Sequence, residues 1–192
     1  IDIVFEFDGA ELAGRDVVAF ETMTHDGKEY MVHADVRDEG QTVKIVDIHT
    51  TATNPATGDN LGSTAEKLEL TDKVAYENLT PGNGYKLFTS LYDSEAGAPI
   101  LDEHGTQLVV ESDFTCEKPD GTADVSMTID SKDVAGHTLV FFEKLTDSGD
   151  NVIATHEDAD DDGQSIHFAG IHTNAVDADD GDKNVIADET AQ

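Results

Sequence analysis

A histidine, two aspartates and a glutamine recur in this chain at one fixed spacing. His33-Ala34-Asp35-Val36-Arg37-Asp38-Glu39-Gly40-Gln41 returns as His156-Glu157-Asp158-Ala159-Asp160-Asp161-Asp162-Gly163-Gln164, both H-x-D-x-x-D-x-G-Q. A hydrophobic run ending in Phe-Glu precedes each copy, Phe20-Glu21 and Phe142-Glu143. A short tract follows each, Ile48-His49-Thr50-Thr51-Ala52 and Ile171-His172-Thr173-Asn174-Ala175. A repeat of this length points to tandem units. What repeats is a set of reactive side chains, so it also points to chemistry.

Ile48, Thr50 and Ala52 alternate, which puts them on one face of a strand, and Ile and Ala make that the inner face. A threonine hydroxyl and a glutamine carboxamide that meet in an interior can react. The hydroxyl attacks the amide carbon, ammonia leaves, and an ester joins Thr50 to Gln164. Neither group is reactive alone. His156 is the candidate general base for the hydroxyl proton. Glu143 ends the run Leu139-Val140-Phe141-Phe142, where burial raises a carboxyl pKa, and a second carboxyl nearby raises one of the pair further. Asp72 is the candidate partner. A proton shared between Asp72 and Glu143 is expected to hydrogen-bond to the Gln164 carbonyl and stabilise the oxyanion of the tetrahedral intermediate.

The elements that must position these groups read as β. Candidate strands are Ile3–Phe7, Val17–Glu21, Thr42–Val46, Val74–Asn78, Tyr85–Tyr92, Val125–Ile129, Leu139–Glu143, Val152–His156 and Ser165–Phe168. Turn signals separate them at Asp26-Gly27, Pro81-Gly82, Asn83-Gly84, Asp120-Gly121 and Ser148-Gly149. Only Thr64–Leu70 is read as a turn or two of helix. Short strands at this spacing predict an all-β, immunoglobulin-like antiparallel β-sandwich in tandem repeats.

Matching the copies sets Leu12-Ala13-Gly14 against Val134-Ala135-Gly136, and Val18-Ala19-Phe20-Glu21 against Val140-Phe141-Phe142-Glu143. Residues 1–46 then read as the closing part of an earlier domain, 47–170 as a complete domain, and 171–192 as the opening of a third. One large duplicated domain, or a short complete first domain, are the other divisions. On the excerpt division Glu21, His33 and Gln41 form an incomplete site without its threonine, Thr173 lacks its glutamine, and neither is expected to be cross-linked within this chain.

Val18-Ala19-Phe20-Glu21 spells V-A-F-E, and the chain resembles the VaFE-repeat surface proteins of Gram-positive bacteria, whose T-Q domains form intramolecular Thr–Gln esters. The resemblance spans essentially the whole chain. It rests on I-x-T-x-A at Ile48–Ala52, D-x-V-x-Y at Asp72–Tyr76, Phe142-Glu143, and H-x-D-x-x-D-x-G-Q at His156–Gln164. It implies Thr50 and Gln164 as the bonded pair, promoted by Asp72, Glu143 and His156. It also implies a structural stalk segment of an extracellular, cell-wall-anchored adhesin or pilus-like protein. Phe141 departs from the pattern, since the first copy has Ala19.

Composition agrees with that setting. The formal net charge of −31 repels nucleic acid and anionic membranes and favours a soluble monomer. No apolar stretch approaches a membrane span. The single cysteine, Cys116, excludes an internal disulfide. The chain starts at Ile1, and targeting signals are expected to lie outside it. The expected partners are adjacent domains of the same polypeptide and a host ligand at a distal tip; no cofactor is expected, and cross-linking happens once per domain rather than by turnover. The alternative is an immunoglobulin-like adhesive binding module without a cross-link, although the chain has no Trp and 6% aromatic residues. A Thr/His/acid hydrolase would need an open pocket. Asp158-Ala159-Asp160-Asp161-Asp162-Gly163 imitates the start of a calcium loop, but Ala169 stands where the bidentate glutamate belongs. Asn78-Leu79-Thr80 is a three-residue sequon. The remaining histidines, at 25, 49, 104, 137, 167 and 172, show no zinc-ligand spacing and are expected at the surface.

Overall fold

The computed structural model describes residues 2–176 and residue 183. Most of the third tract therefore lies outside the described residues. Fourteen strands follow in order: β1 Asp16–Val18, β2 Glu21–His25, β3 Lys28–His33, β4 Thr42–Lys44, β5 Asp47–Thr53, β6 Leu61–Gly62, β7 Leu68–Glu77, β8 Gly84–Asp93, β9 Ala98–Pro99, β10 Val109–Thr115, β11 Gly121–Ile129, β12 Thr138–Asp147, β13 Val152–His156 and β14 Ser165–Phe168. Among the described residues the only helical elements are three single 3-10 turns.

Two sheets carry residues 47–168. One runs β11-β7-β5, antiparallel throughout. The other runs β10-β8-β12-β14-β6, with β13 also on β12 and β9 on β8. Inner-face side chains of both sheets interdigitate in shared apolar clusters, which makes this an antiparallel immunoglobulin-like sandwich. One pairing is parallel, β6 with β14.

The long strands β7 and β8 alternate strictly. Along β7 the burial runs buried, exposed or half-buried, buried from Leu68 to Glu77, and β8 does the same from Tyr85 to Asp93. That period of two is the mark of a strand with one face in the core. It also overturns the helical reading of Thr64–Leu70: Leu68 and Leu70 are buried residues of β7, paired with Ile129 and Met127. Ile3–Phe7 is not a strand: no described residue pairs with it, and Ile3, Val4, Phe5 and Phe7 are exposed. The predicted single strand Val17–Glu21 is two strands, broken at residues 19–20.

β12 explains the break. One edge pairs with β8 over Leu139–Asp147. The other edge is shared: β14 takes Thr138–Val140 and β13 takes Glu143–Thr146. Between them, opposite Phe141, the chain makes the 3-10 turn Asp162–Gln164. The first unit repeats the device. β1 pairs with β4, β2 with β3, and the turn Glu39–Gln41 fills the gap opposite Ala19. Asp26 and Gly27 take the left-handed conformations, φ 48° and 71°, that a tight β2–β3 hairpin requires. Here no sheet among the described residues covers either face of the hairpin: Met23, Tyr30, Met31 and Val32 are exposed.

Candidate functional site

The apolar core of the sandwich is two clusters, not one, and a polar layer separates them. Along β5 the inward residues are Ile48, Thr50 and Ala52; along β7, Leu70, Asp72 and Val74; along β8, Leu87, Thr89 and Leu91; along β12, Phe141, Glu143 and Leu145. In each triplet the outer two members belong to different clusters. The middle member is polar and buried, four times over. Gln164, from the turn between β13 and β14, is also fully buried. β-register does the aligning: Glu143 lies across from Thr89 on one side and His156 on the other, and Ala52 lies across from Asp72.

Gln164 is held by its amide nitrogen. Nε2 donates to the Phe141 carbonyl at 2.8 Å, Glu143 Oε2 at 2.9 Å and the His156 carbonyl at 3.1 Å. Two of these are backbone carbonyls, which only accept, so the nitrogen and not the oxygen faces them. Glu143 thus stands against the amide nitrogen, where the sequence placed the carboxyl pair against the carbonyl oxygen. An amide has two N–H bonds and meets three acceptors; ammonia has three.

Glu143 and Asp72 hydrogen-bond to each other, both at 0% exposure. Burial pushes Glu143 up to about 10, and the neighbouring Asp72 charge adds to the rise. Burial also raises Asp72, to about 6, while the bond from Glu143 pulls it partly back. The pair therefore retains a proton at a pH where free carboxyls have lost theirs.

His156 is oriented from both sides. Its Nε2 lies 3.2 Å from Asp161 Oδ2, and its ring meets His49 edge-on at 6.1 Å. His49 is in turn 2.9 Å from Asp47 Oδ2. The other ring nitrogen, Nδ1, is buried without a partner. Thr50 comes in from β5 beside the turn: a side chain at Gly163 would reach to 3.5 Å from the Thr50 carbonyl.

Nine buried side-chain atoms among the described residues have no hydrogen-bond partner to a conventional donor or acceptor, and six lie on the five predicted residues. They are Thr50 Oγ1, both Asp72 oxygens, Glu143 Oε1, His156 Nδ1 and Gln164 Oε1. A proton shared within the carboxyl pair partners Glu143 Oε1 with one Asp72 oxygen. The second Asp72 oxygen, the hydroxyl, the imidazole nitrogen and the amide oxygen remain, and buried polar atoms are rarely left so without a reason. Thr89 Oγ1 is a seventh, on the strand facing Glu143. Sequence reasoning missed it, although Leu87-x-Thr89-x-Leu91 is a polar residue on an apolar face.

The first unit holds half of the same site. Gln41 Nε2 donates to the Ala19 carbonyl at 2.7 Å, Glu21 Oε2 at 2.8 Å and the His33 carbonyl at 3.4 Å. Its Oε1 is buried without a partner too. Thr173 is exposed and in no strand.

The chain belongs to the T-Q ester bond containing domain family. The family model matches residues 1–45 and again 46–168. The fold is similar to that of two solved structures of a bacterial adhesin from Mobiluncus mulieris, described as containing intramolecular disulfide, isopeptide and ester bond cross-links. Identity is 16% and 17%, with TM-scores of 0.54 and 0.55. The match covers 67% of this chain and 58% of theirs, so this chain corresponds to little more than half their length. No curated protein matches the sequence.

The other sequence features have local explanations. In the calcium-like run, Asp158 accepts from the Asp160 amide, Asp161 from the Gly163 amide, and Asp162 Oδ1 is 2.9 Å from His167 Nε2. Asn78 of the sequon donates its side-chain amide to the Ile45 carbonyl. His137 is half-buried rather than at the surface, 2.7 Å from Asp93, which raises its pKa. Asp93 and Glu95 accept from the Ala96 and Thr138 amides, so this trio ties one turn together. Surface clefts of 370 and 490 Å³ are lined by none of the five site residues.

Proposed function

We propose that Thr50 and Gln164 of this T-Q domain join in an intramolecular ester that locks the first strand of the sandwich to the turn before its last. The reading is carried by the three reactive atoms, Thr50 Oγ1, His156 Nδ1 and Gln164 Oε1, each buried without a partner on elements that pack against one another. His156 takes the hydroxyl proton through Nδ1. Thr50 Oγ1 attacks Cδ of Gln164, and the C–N bond breaks. The carboxyl pair, whose Glu143 Oε2 touches the nitrogen, supplies the proton that lets it leave, and the imidazolium returns a proton to the pair. The net change moves the Thr50 proton onto ammonia and leaves imidazole and carboxyls as they began. The three acceptors around Nε2 suit the departing ammonia better than the amide. Each domain reacts once, so there is no turnover.

The T-Q family and the adhesin-like fold support a cell-surface role. In that role the domain is a stalk segment of a Gram-positive adhesin, carried outside the cell and anchored to the wall, with adjacent domains as its partners. A bond between the ends of the sandwich suits a module that bears tension.

The test is the intact mass of the chain, followed by peptide sequencing. One ammonia is expected to be missing, with the Thr50 and Gln164 peptides joined. The unmodified mass in a folded chain, or a mass deficit that survives Thr50→Ala, would exclude the ester and leave a plain adhesive sandwich.

A further inference from the structure

Thr89 is a polar residue for which the packing alone has no use. It lies on β8 between Leu87 and Leu91, which belong to different apolar clusters, and it faces inward as they do. It is fully buried, and its Oγ1 has no hydrogen-bond partner. Valine has the same branched shape and would leave no buried donor unpaired.

The register says what the hydroxyl faces. Thr89 is the direct cross-strand partner of Glu143, and both side chains are buried on the same face of the sheet. Cβ atoms of such a pair are about 5 Å apart, so rotation of the two side chains can bring hydroxyl and carboxyl together. Glu143 meets Gln164 Nε2 through Oε2 and shares a proton with Asp72. While that proton is in place, the carboxyl pair has no need of another donor.

We propose that Thr89 is a positioning residue for the cross-linking reaction, turning its hydroxyl to donate to Glu143 while the carboxyl pair carries the charge left by the proton it gives to the departing ammonia. This rests on the Thr50–Gln164 ester reading above. When the proton passes to nitrogen and the C–N bond breaks, two carboxylates are left facing each other in a buried layer. The added negative charge lasts until the His156 imidazolium returns a proton to the pair. A hydroxyl hydrogen rotates to suit its surroundings. A donor that meets a charge present only during the reaction lowers the barrier without stabilising the starting state. An orphaned hydroxyl in the unreacted site is the form that such a group takes.

The variant that removes the donor is Thr89→Val, and Thr89→Ser returns the hydroxyl without the methyl group. Thr146→Val is the control. Its hydroxyl is also buried without a partner, but it stands opposite Lys86 and Val152 rather than in the polar layer. The full 192-residue chain would be made by cell-free synthesis and its ammonia loss followed by intact mass. The same substitutions in the Thr50→Ala background give the unfolding midpoint with no cross-link present.

The expected result is a split between rate and stability. Thr89→Val should cross-link roughly 10- to 100-fold more slowly, the range for a lost hydrogen bond to a charged group, while its midpoint holds or rises. Thr89→Ser should cross-link close to the wild-type rate, and Thr146→Val should leave the rate unchanged. Wild-type cross-linking by Thr89→Val would overturn the proposal. So would equal slowing by Thr89→Ser or Thr146→Val, since packing would then explain the effect. A lowered midpoint for Thr89→Val would also overturn it, by showing that the hydroxyl already has a partner in the unreacted fold. A wild-type chain that never loses ammonia would instead bring down the ester reading, and the proposal with it.

Discussion

At the scale of single residues, the polar layer is a cost to the fold, and the proposed ester gives a reason for it. A buried hydroxyl without a partner destabilises by about 1–3 kcal/mol, and Thr89 is such a group at 0% exposure. Thr89→Val keeps the shape and removes the hydroxyl. It is expected to raise the unfolding midpoint of the Thr50→Ala chain, by about 1 kcal/mol or more; a loss of stability would mean that the hydroxyl has a partner after all. The carboxyl pair carries a cost that depends on pH. Both groups titrate higher folded than unfolded, Glu143 at about 10. Below the ordinary carboxyl range both states hold both protons, and the pair's contribution is at its most favourable. As pH rises, the unfolded chain releases protons that the folded chain retains, so stability falls until Glu143 itself titrates. The slope is at most about 1.4 kcal/mol per pH unit for each retained proton. Denaturant titrations of Thr50→Ala should therefore show a midpoint that declines from about pH 5 to about pH 9. Thr50→Ala with Glu143→Gln should decline less, and equal slopes would place the shared proton elsewhere.

At the scale of elements, what the sequence made legible depended on whether a strand's evidence was local. Val152–His156 and Ser165–Phe168 stand with the bounds read from their β-branched and aromatic residues. So does the inward face of Thr50, because alternation within β5 is enough to orient it. The misreadings needed a partner to correct them. Leu68–Leu70 looks ambiguous alone and becomes a strand only against Met127–Ile129. Ile3–Phe7 has strand composition and no pairing partner among the described residues. The split edge of β12 was invisible, since no local signal says that two strands will share one neighbour with a glutamine turn between them. The repeat did set Gln41 against Gln164, and each amide nitrogen sits in a cage of three acceptors. The short strand β6 is another long-range feature, and its glycine has a specific reason. A Cβ at Gly62 would lie 2.5 Å from the ring of buried Phe168. Gly62→Ala should force β6 off β14 and destabilise the sandwich by about 1–3 kcal/mol, with amide exchange accelerating first at Ser165–Phe168. Unchanged protection there would mean that the ring moves aside freely.

At the scale of the whole molecule, the decisive question is what the bond does under load. Pulled from the two ends of residues 47–170, the sandwich would take up tension at β5 and pass it out after β14. Without a cross-link, both strands peel away and the segment between Thr50 and Gln164 is drawn out. The entropic gain of closing a loop of that size, taken by analogy with disulfides, is about 5 kcal/mol. That figure speaks to equilibrium unfolding and understates the mechanical effect, because a closed loop cannot extend at any force short of bond rupture. Self-repulsion makes the bond more useful still. At a net charge of −31 the compact state is strained electrostatically, and added salt should stabilise Thr50→Ala more than the cross-linked chain. The direct measurement is single-molecule pulling from handles placed at the ends of residues 47–170. Thr50→Ala should show an unfolding event that releases roughly 40 nm of chain, at about 3.5 Å per residue. The wild-type chain should lack that event, because force passes from β5 through the ester into the turn before β14 and leaves the rest of the domain unloaded. Full extension of the wild type would show that the path through Thr50 and Gln164 does not bear the load, whatever the mass of the chain.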